Sequence, residues 1–293
     1  MSELMNSSEY QSFRQSIPRI SICVEGNAEK GTWKIFDAGP RDVRCPIVCL
    51  PPASGTADAF FKQVMSLSND GYRVIALEYP IIWKMKDWVE GFIKLLDELN
   101  LDKVHIFGAS LGSFLAQKFA ELTVKTPRVA SLVLCNAFTD TSIFQQTASA
   151  PTFWMMPGLV LKKIIMGSFD KGVVSTSIAD SIDFMVETLE SISQKELASR
   201  LTMNCMNAYV EPQKLSEMPI TLIDVYDASA LSQSVKEEVY KCYPNAKRAS
   251  LKTGGNFPYL SRADEVNMHL RIHLRSFLNT RYSPRLDNEE DYL

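Results

Sequence analysis

The chain has 293 residues, enough for one large domain with a well-buried core, and its 46% hydrophobic and 22% charged content is that of an ordinary globular protein. A net charge of −3 supplies no basic field, which argues against nucleic acid as a partner. The start, "MSELMNSSEYQSF", has no charged stretch leading into an apolar one, so no secretory signal is expected. The longest apolar run, "FWMMPGLVLKKIIMG", is interrupted by Pro157, Lys162 and Lys163 and is no membrane span. Cys23, Cys45, Cys49, Cys135, Cys205 and Cys242 form no CxxC pair, and several sit in apolar runs. Buried reduced thiols and a cytosolic address are the expectation, which leaves the sequon at Asn6 little weight.

In chain order, the first fifteen or so residues are polar and expected to be loosely ordered, as is the tail "SPRLDNEEDYL". "RISICVEG" and "WKIFDAG" read as an antiparallel pair. "CPIVCLPP", "YRVIALEYP", "KVHIFGAS" and "VASLVLCNAF" read as buried strands, and the first three are followed by helical patterns. Near-continuous apolar strands alternating with helices predict a mostly parallel sheet covered on both faces. From Thr139 to about Glu217 the alternation stops and the pattern is helical. It resumes with the strand "PITLIDVYD", a helix, the weak strand "KRASLKTG" and the closing helix "RADEVNMHLRIHLRSFL". The fold class is therefore α/β, one domain over 1–293, with a helical cap insertion at about 139–217 above the sheet's C-terminal edge. That edge is where open α/β sheets place ligands.

Gly108-Ala109-Ser110-Leu111-Gly112 is G-x-S-x-G between a strand and a helix. The glycines suit a turn too sharp for flanking Cβ atoms, and the turn lifts the Ser110 hydroxyl above the sheet at a helix N-terminus. With this strand order, elbow and cap, the stretch from Ile20 to Phe277 resembles the α/β-hydrolases. "DAGPR", "LPPASGTADAFF", "LDKVHIFGASLGSFLAQKFAE" and "LKTGGNFPYL" are similar, more narrowly, to one cytosolic branch of that family associated with endosomal and trans-Golgi membranes.

The resemblance puts the nucleophile on Ser110 and the acid on Asp227, with Asp224 the nearby rival; either aspartate also reads as a turn residue or helix cap. The base position falls on Asn256, whose amide neither takes up a proton at neutral pH nor changes charge. Such an amide is expected to hold a hydrogen bond to Ser110 or Asp227 without supplying the chemistry. Active relatives commonly place His-Gly after the third strand. Here Pro51 and Pro52 stand there and have no N–H to offer, leaving Ala53 and Leu111 as oxyanion-hole candidates.

His105 lies in a strand and reads as a core residue. His269 and His273 are spaced i, i+4 with Glu265 one turn earlier, too little for a metal site. On the cap, Phe153, Trp154, Met155 and Met156 either line the former substrate pocket or form an apolar face edged by Lys162 and Lys163. That face would take a partner helix or a membrane surface.

The resemblance implies a non-catalytic adaptor or negative regulator of T-cell co-receptor signalling, without a cofactor and peripherally attached to membranes. It implies two partners, a T-cell co-receptor cytoplasmic tail and an aldehyde dehydrogenase-like protein. The competing reading is a weak serine hydrolase acting on an ester or lipid.

Overall fold

The computed structural model describes residues 2–25, 30–169 and 172–286. Its strands are β1 (Arg19–Glu25), β2 (Lys30–Ala38), β3 (Ile47–Leu50), β4 (Val74–Glu78), β5 (Val104–Ala109), β6 (Val129–Cys135), β7 (Ile220–Val225) and β8 (Lys247–Leu251). They form one sheet in the order β1-β2-β4-β3-β5-β6-β7-β8. β1 and β2 pair antiparallel, β2 meets β4 antiparallel, and every pairing from β4 onward is parallel.

The central strands alternate between two apolar layers, which is why their sequences are apolar throughout. In β3, Ile47 and Cys49 face one layer while Val48 and Leu50 face the other. The helices are α1 (Glu3–Asn6), α2 (Ser8–Ser16), α3 (Phe61–Asn69), α4 (Met85–Glu98), α5 (Leu111–Leu122), α6 (Gly158–Met166), α7 (Thr176–Glu190), α8 (Gln194–Cys205), α9 (Gln233–Cys242), α10 (Pro258–Ser261) and α11 (Ala263–Leu274). Between β6 and β7 the chain carries α6, α7, α8 and 3-10 stretches, and none of the sheet's strands.

The N-terminus departs from expectation. Residues 3–6 and 8–16 are helical, with Ser2 and Ser7 capping α1 and α2 through their side-chain oxygens. Tyr10 and Phe13 are buried against Phe36, Phe61 and Phe184. The Tyr10 hydroxyl donates to Asp58 Oδ1 at 2.9 Å, and Arg14 Nη1 reaches the same oxygen at 2.8 Å. Two buried rings on one helical face outweigh the polar composition around them. The start of the tail is also docked: Arg73 N–H donates to the Pro284 carbonyl at 3.0 Å. Residues 287–293 lie outside the described residues.

Cys45, Cys49, Cys135 and Cys205 are buried, as read from the sequence, whereas Cys23 is exposed and Cys242 half-buried. Burial pushes the Cys45 thiol up to about 12, where it is inert at neutral pH.

His105 and His273 belong to one hydrogen-bonded chain through the core. His105 Nε2 lies 2.8 Å from the Tyr282 carbonyl, which can only accept, so Nε2 carries the proton. The Ser131 hydroxyl, 2.7 Å away, therefore donates to His105 Nδ1 and accepts from His273 Nε2, also at 2.7 Å. Thr221 in turn donates to His273 Nδ1 at 2.7 Å. Both rings are neutral in this arrangement, and burial holds their pKa values down at about 4 and about 3.

Candidate functional site

The residue that starts the site is strained. Ser110, between β5 and α5, has φ 50° and ψ −113°, a backbone state that costs a non-glycine residue about 1–3 kcal/mol. Its N–H donates to the Cys135 carbonyl at 3.0 Å, and its own carbonyl accepts from Ser113 and Phe114 N–H. A Cβ on Gly108 would sit 2.5 Å from the Gly112 carbonyl, and one on Gly112 would fall onto the Leu50 carbonyl. Both glycines are thus required by close backbone approach. Among the described residues the Ser110 hydroxyl has no hydrogen-bond partner, and neither Leu111 nor Gly112 N–H has an acceptor.

Ser110 opens into a cavity of about 590 Å³ between the sheet edge and the cap. Ala53 and Asn256 line it with Ser110, so the structure brings these sequence candidates to one space, whereas Leu111, the other oxyanion-hole candidate, is not among the lining residues. Pro51 and Pro52 are fixed beside it: the Tyr79 hydroxyl donates to the Pro51 carbonyl at 2.7 Å, and Gly55 N–H to the Pro52 carbonyl at 3.0 Å.

The amide at the base position is committed elsewhere. Asn256 Oδ1 accepts from Ala230 N–H at 2.6 Å, and Nδ2 donates to the Ser168 carbonyl at 3.0 Å. The expected bond to Ser110 or Asp227 is therefore not made; two nearer backbone groups satisfy the side chain. Asp227 instead accepts from Gly254 N–H at 2.9 Å and Gly255 N–H at 3.1 Å. It holds the Asn256 loop from behind and does not line the cavity. Asp224 is buried and bonded to the Tyr240 hydroxyl at 2.8 Å; burial raises its pKa.

No histidine lines the cavity. His105 and His273 are in the core chain, and His269 lies on α11. His273 has both nitrogens engaged and cannot chelate with His269 and Glu265. Among the described residues no group of three or more His, Cys, Asp or Glu is placed to hold a metal ion.

On the cap, none of Phe153, Trp154, Met155 and Met156 lines the cavity; Lys163, Ile164 and Ile165 do. Phe153 is fully buried, Met156 half-buried, and Trp154 and Met155 are each 60% exposed. The helix after Pro157 supplies Lys163, Ile164 and Ile165, and Ile143, Phe144 and Leu201 line the cavity from other cap segments.

Two lining residues carried no signal in the sequence. Asn136, just after β6, has φ 48° and donates through Nδ2 to the Asn256 carbonyl at 3.0 Å, while among the described residues its buried Oδ1 has no partner. Tyr259 is 1% exposed and its hydroxyl is also unpaired.

Sheet order, elbow and cap define an α/β-hydrolase fold. A sequence model of the α/β hydrolase fold matches residues 46–170. The enol-lactonase of Burkholderia xenovorans superposes with a TM-score of 0.71 at 15% identity, covering 87% of this chain and all of that one. Maspardin of Danio rerio is 58% identical over 99% of this chain and 94% of its own length. Maspardin of Homo sapiens is 58% identical over 97% of this chain and 92% of its own. The chain belongs to the maspardin family of α/β-hydrolase-fold proteins.

Proposed function

We propose that this is a non-catalytic α/β-hydrolase-fold protein that works by binding. The observation that carries the reading is Asn256: the base position holds an amide whose two polar ends are committed to Ala230 and Ser168. A serine without a base in hydrogen-bond reach is not activated, and removing the base costs roughly a million-fold in turnover. Hydrolysis of short and medium acyl esters should therefore not exceed that of a Ser110→Ala control. The unpaired hydroxyl at an intact elbow is what favours the weak-hydrolase reading, and Ser110-dependent turnover would establish that reading instead.

On the family resemblance, the proposed role is a cytosolic adaptor or negative regulator. Its proposed partners are a T-cell co-receptor tail and an aldehyde dehydrogenase-like protein, with peripheral association to endosomal and trans-Golgi membranes. No helix among the described residues is long and apolar enough to cross a membrane. An alkaline carbonate wash should release the protein from a membrane fraction; retention in the pellet, as for an integral protein, would contradict peripheral attachment.

A further inference from the structure

The cavity above Ser110 has a built polar end. Asn136 is 5% exposed, yet its Oδ1 has no partner and the residue lines the cavity. The orientation of this amide is fixed, because Nδ2 donates to the Asn256 carbonyl and a flipped amide would set two oxygens against each other. A buried acceptor left unmade costs about 1–3 kcal/mol, so Oδ1 calls for a donor. Lining the same cavity are two donors that call for an acceptor, the free Ser110 hydroxyl and the unpaired Tyr259 hydroxyl, and the N–H groups that begin α5 next to Ser110 are open. The rest of the lining is largely apolar, with Ile143, Phe144, Ile165, Phe169, Leu201 and Leu231. Among the described residues the only charge on it is Lys163, which is exposed.

We infer that the cavity is a binding site for a neutral acyl amide, held intact. The carbonyl oxygen takes the donors at the elbow, the amide N–H satisfies Asn136 Oδ1, and the acyl chain lies on the apolar wall. A carboxylate does not fit this end. It would bring a charge to a site with no buried cation among the described residues and set a second acceptor against Asn136. An ester offers the carbonyl but lacks the donor, and sites built to pair a donor discriminate strongly against analogues without one. A volume of about 590 Å³ lies within the ~300–1,000 Å³ usual for small-molecule pockets. The inference rests on the reading that Ser110 is unactivated, since an active serine would cleave the ligand.

The test is isothermal titration of the full-length chain with octanamide, methyl octanoate and octanoate, followed by mass spectrometry of the recovered octanamide. Octanamide is expected to bind one to one and be recovered unchanged, with methyl octanoate and octanoate each at least ~10-fold weaker. Asn136→Gly tolerates the positive φ and removes the acceptor, so the amide-over-ester preference should fall to about twofold or less. Tyr259→Phe keeps the ring and deletes only the unpaired hydroxyl. It should weaken amide and ester alike, by roughly fivefold, with their ratio retained. Equal binding of amide and ester by wild type, or binding of neither, would overturn the inference while leaving the non-catalytic reading intact. Release of octanoate and ammonia from octanamide would overturn the non-catalytic reading itself.

Discussion

Asn256→His is expected to leave ester turnover at least ~1,000-fold below the ~10 per second of natural enzymes. An imidazole works as a base only when an acid orients it and the serine is within hydrogen-bond reach. Here both Asp227 oxygens accept from Gly254 and Gly255 N–H, so the carboxylate is aimed at the loop backbone. The substitution also strips Ala230 N–H of its acceptor and the Ser168 carbonyl of its donor, loosening the loop that carries residue 256. The oxyanion site is a further obstacle, because the loop that faces Ser110 opens with Pro51 and Pro52, which have no N–H to donate. The measurement is steady-state hydrolysis by Asn256→His beside wild type and Ser110→Ala. Turnover near ~10 per second would show that a single residue separates this chain from an enzyme.

Acid should weaken the fold through the buried histidine chain. Burial lowers the pKa of His105 from 6.5 to about 4 and of His273 from 6.5 to about 3. Because the unfolded chain protonates first, the contribution of these two rings is greatest above pH 6.5. It falls as pH drops through 6.5, and the loss continues until about pH 4 for His105 and about pH 3 for His273. At pH 5 the loss is about 2 kcal/mol for each ring, or about 4 kcal/mol together. That is a large share of the ~5–15 kcal/mol that holds a typical protein folded. Protonation is costly here because the acceptor nitrogens receive the Ser131 and Thr221 hydroxyls and would have to become donors. Urea unfolding at pH 8 and pH 5 should show this loss in wild type and roughly half of it in His273→Leu. Equal stability of wild type at the two pH values would contradict the assignment of both rings as neutral in the fold.

How much of this was legible in the sequence differs by feature. The sheet and cap were, because buried strands and helices leave local patterns two to four residues long. Composition hides the N-terminal helices: Ser, Gln and Glu dominate the segment, while Tyr10, Phe13 and Ile17 form a helix-spaced apolar stripe. The absence of a histidine at 256 was also plain. What Asn256 does instead was not, since its partners Ala230 and Ser168 are 26 and 88 residues away. Asn136 reads as the end of a strand, and its unpaired oxygen is a product of tertiary placement alone.

If Ser110 has no base, the pH dependence of ester turnover will show it. Wild type and Ser110→Ala, each given a butyrate and an octanoate ester between pH 6 and pH 9, should give superimposable rates that follow hydroxide alone. A wild-type rate that rises through a titration near pH 7 and vanishes in Ser110→Ala would reveal a working base and contradict the account.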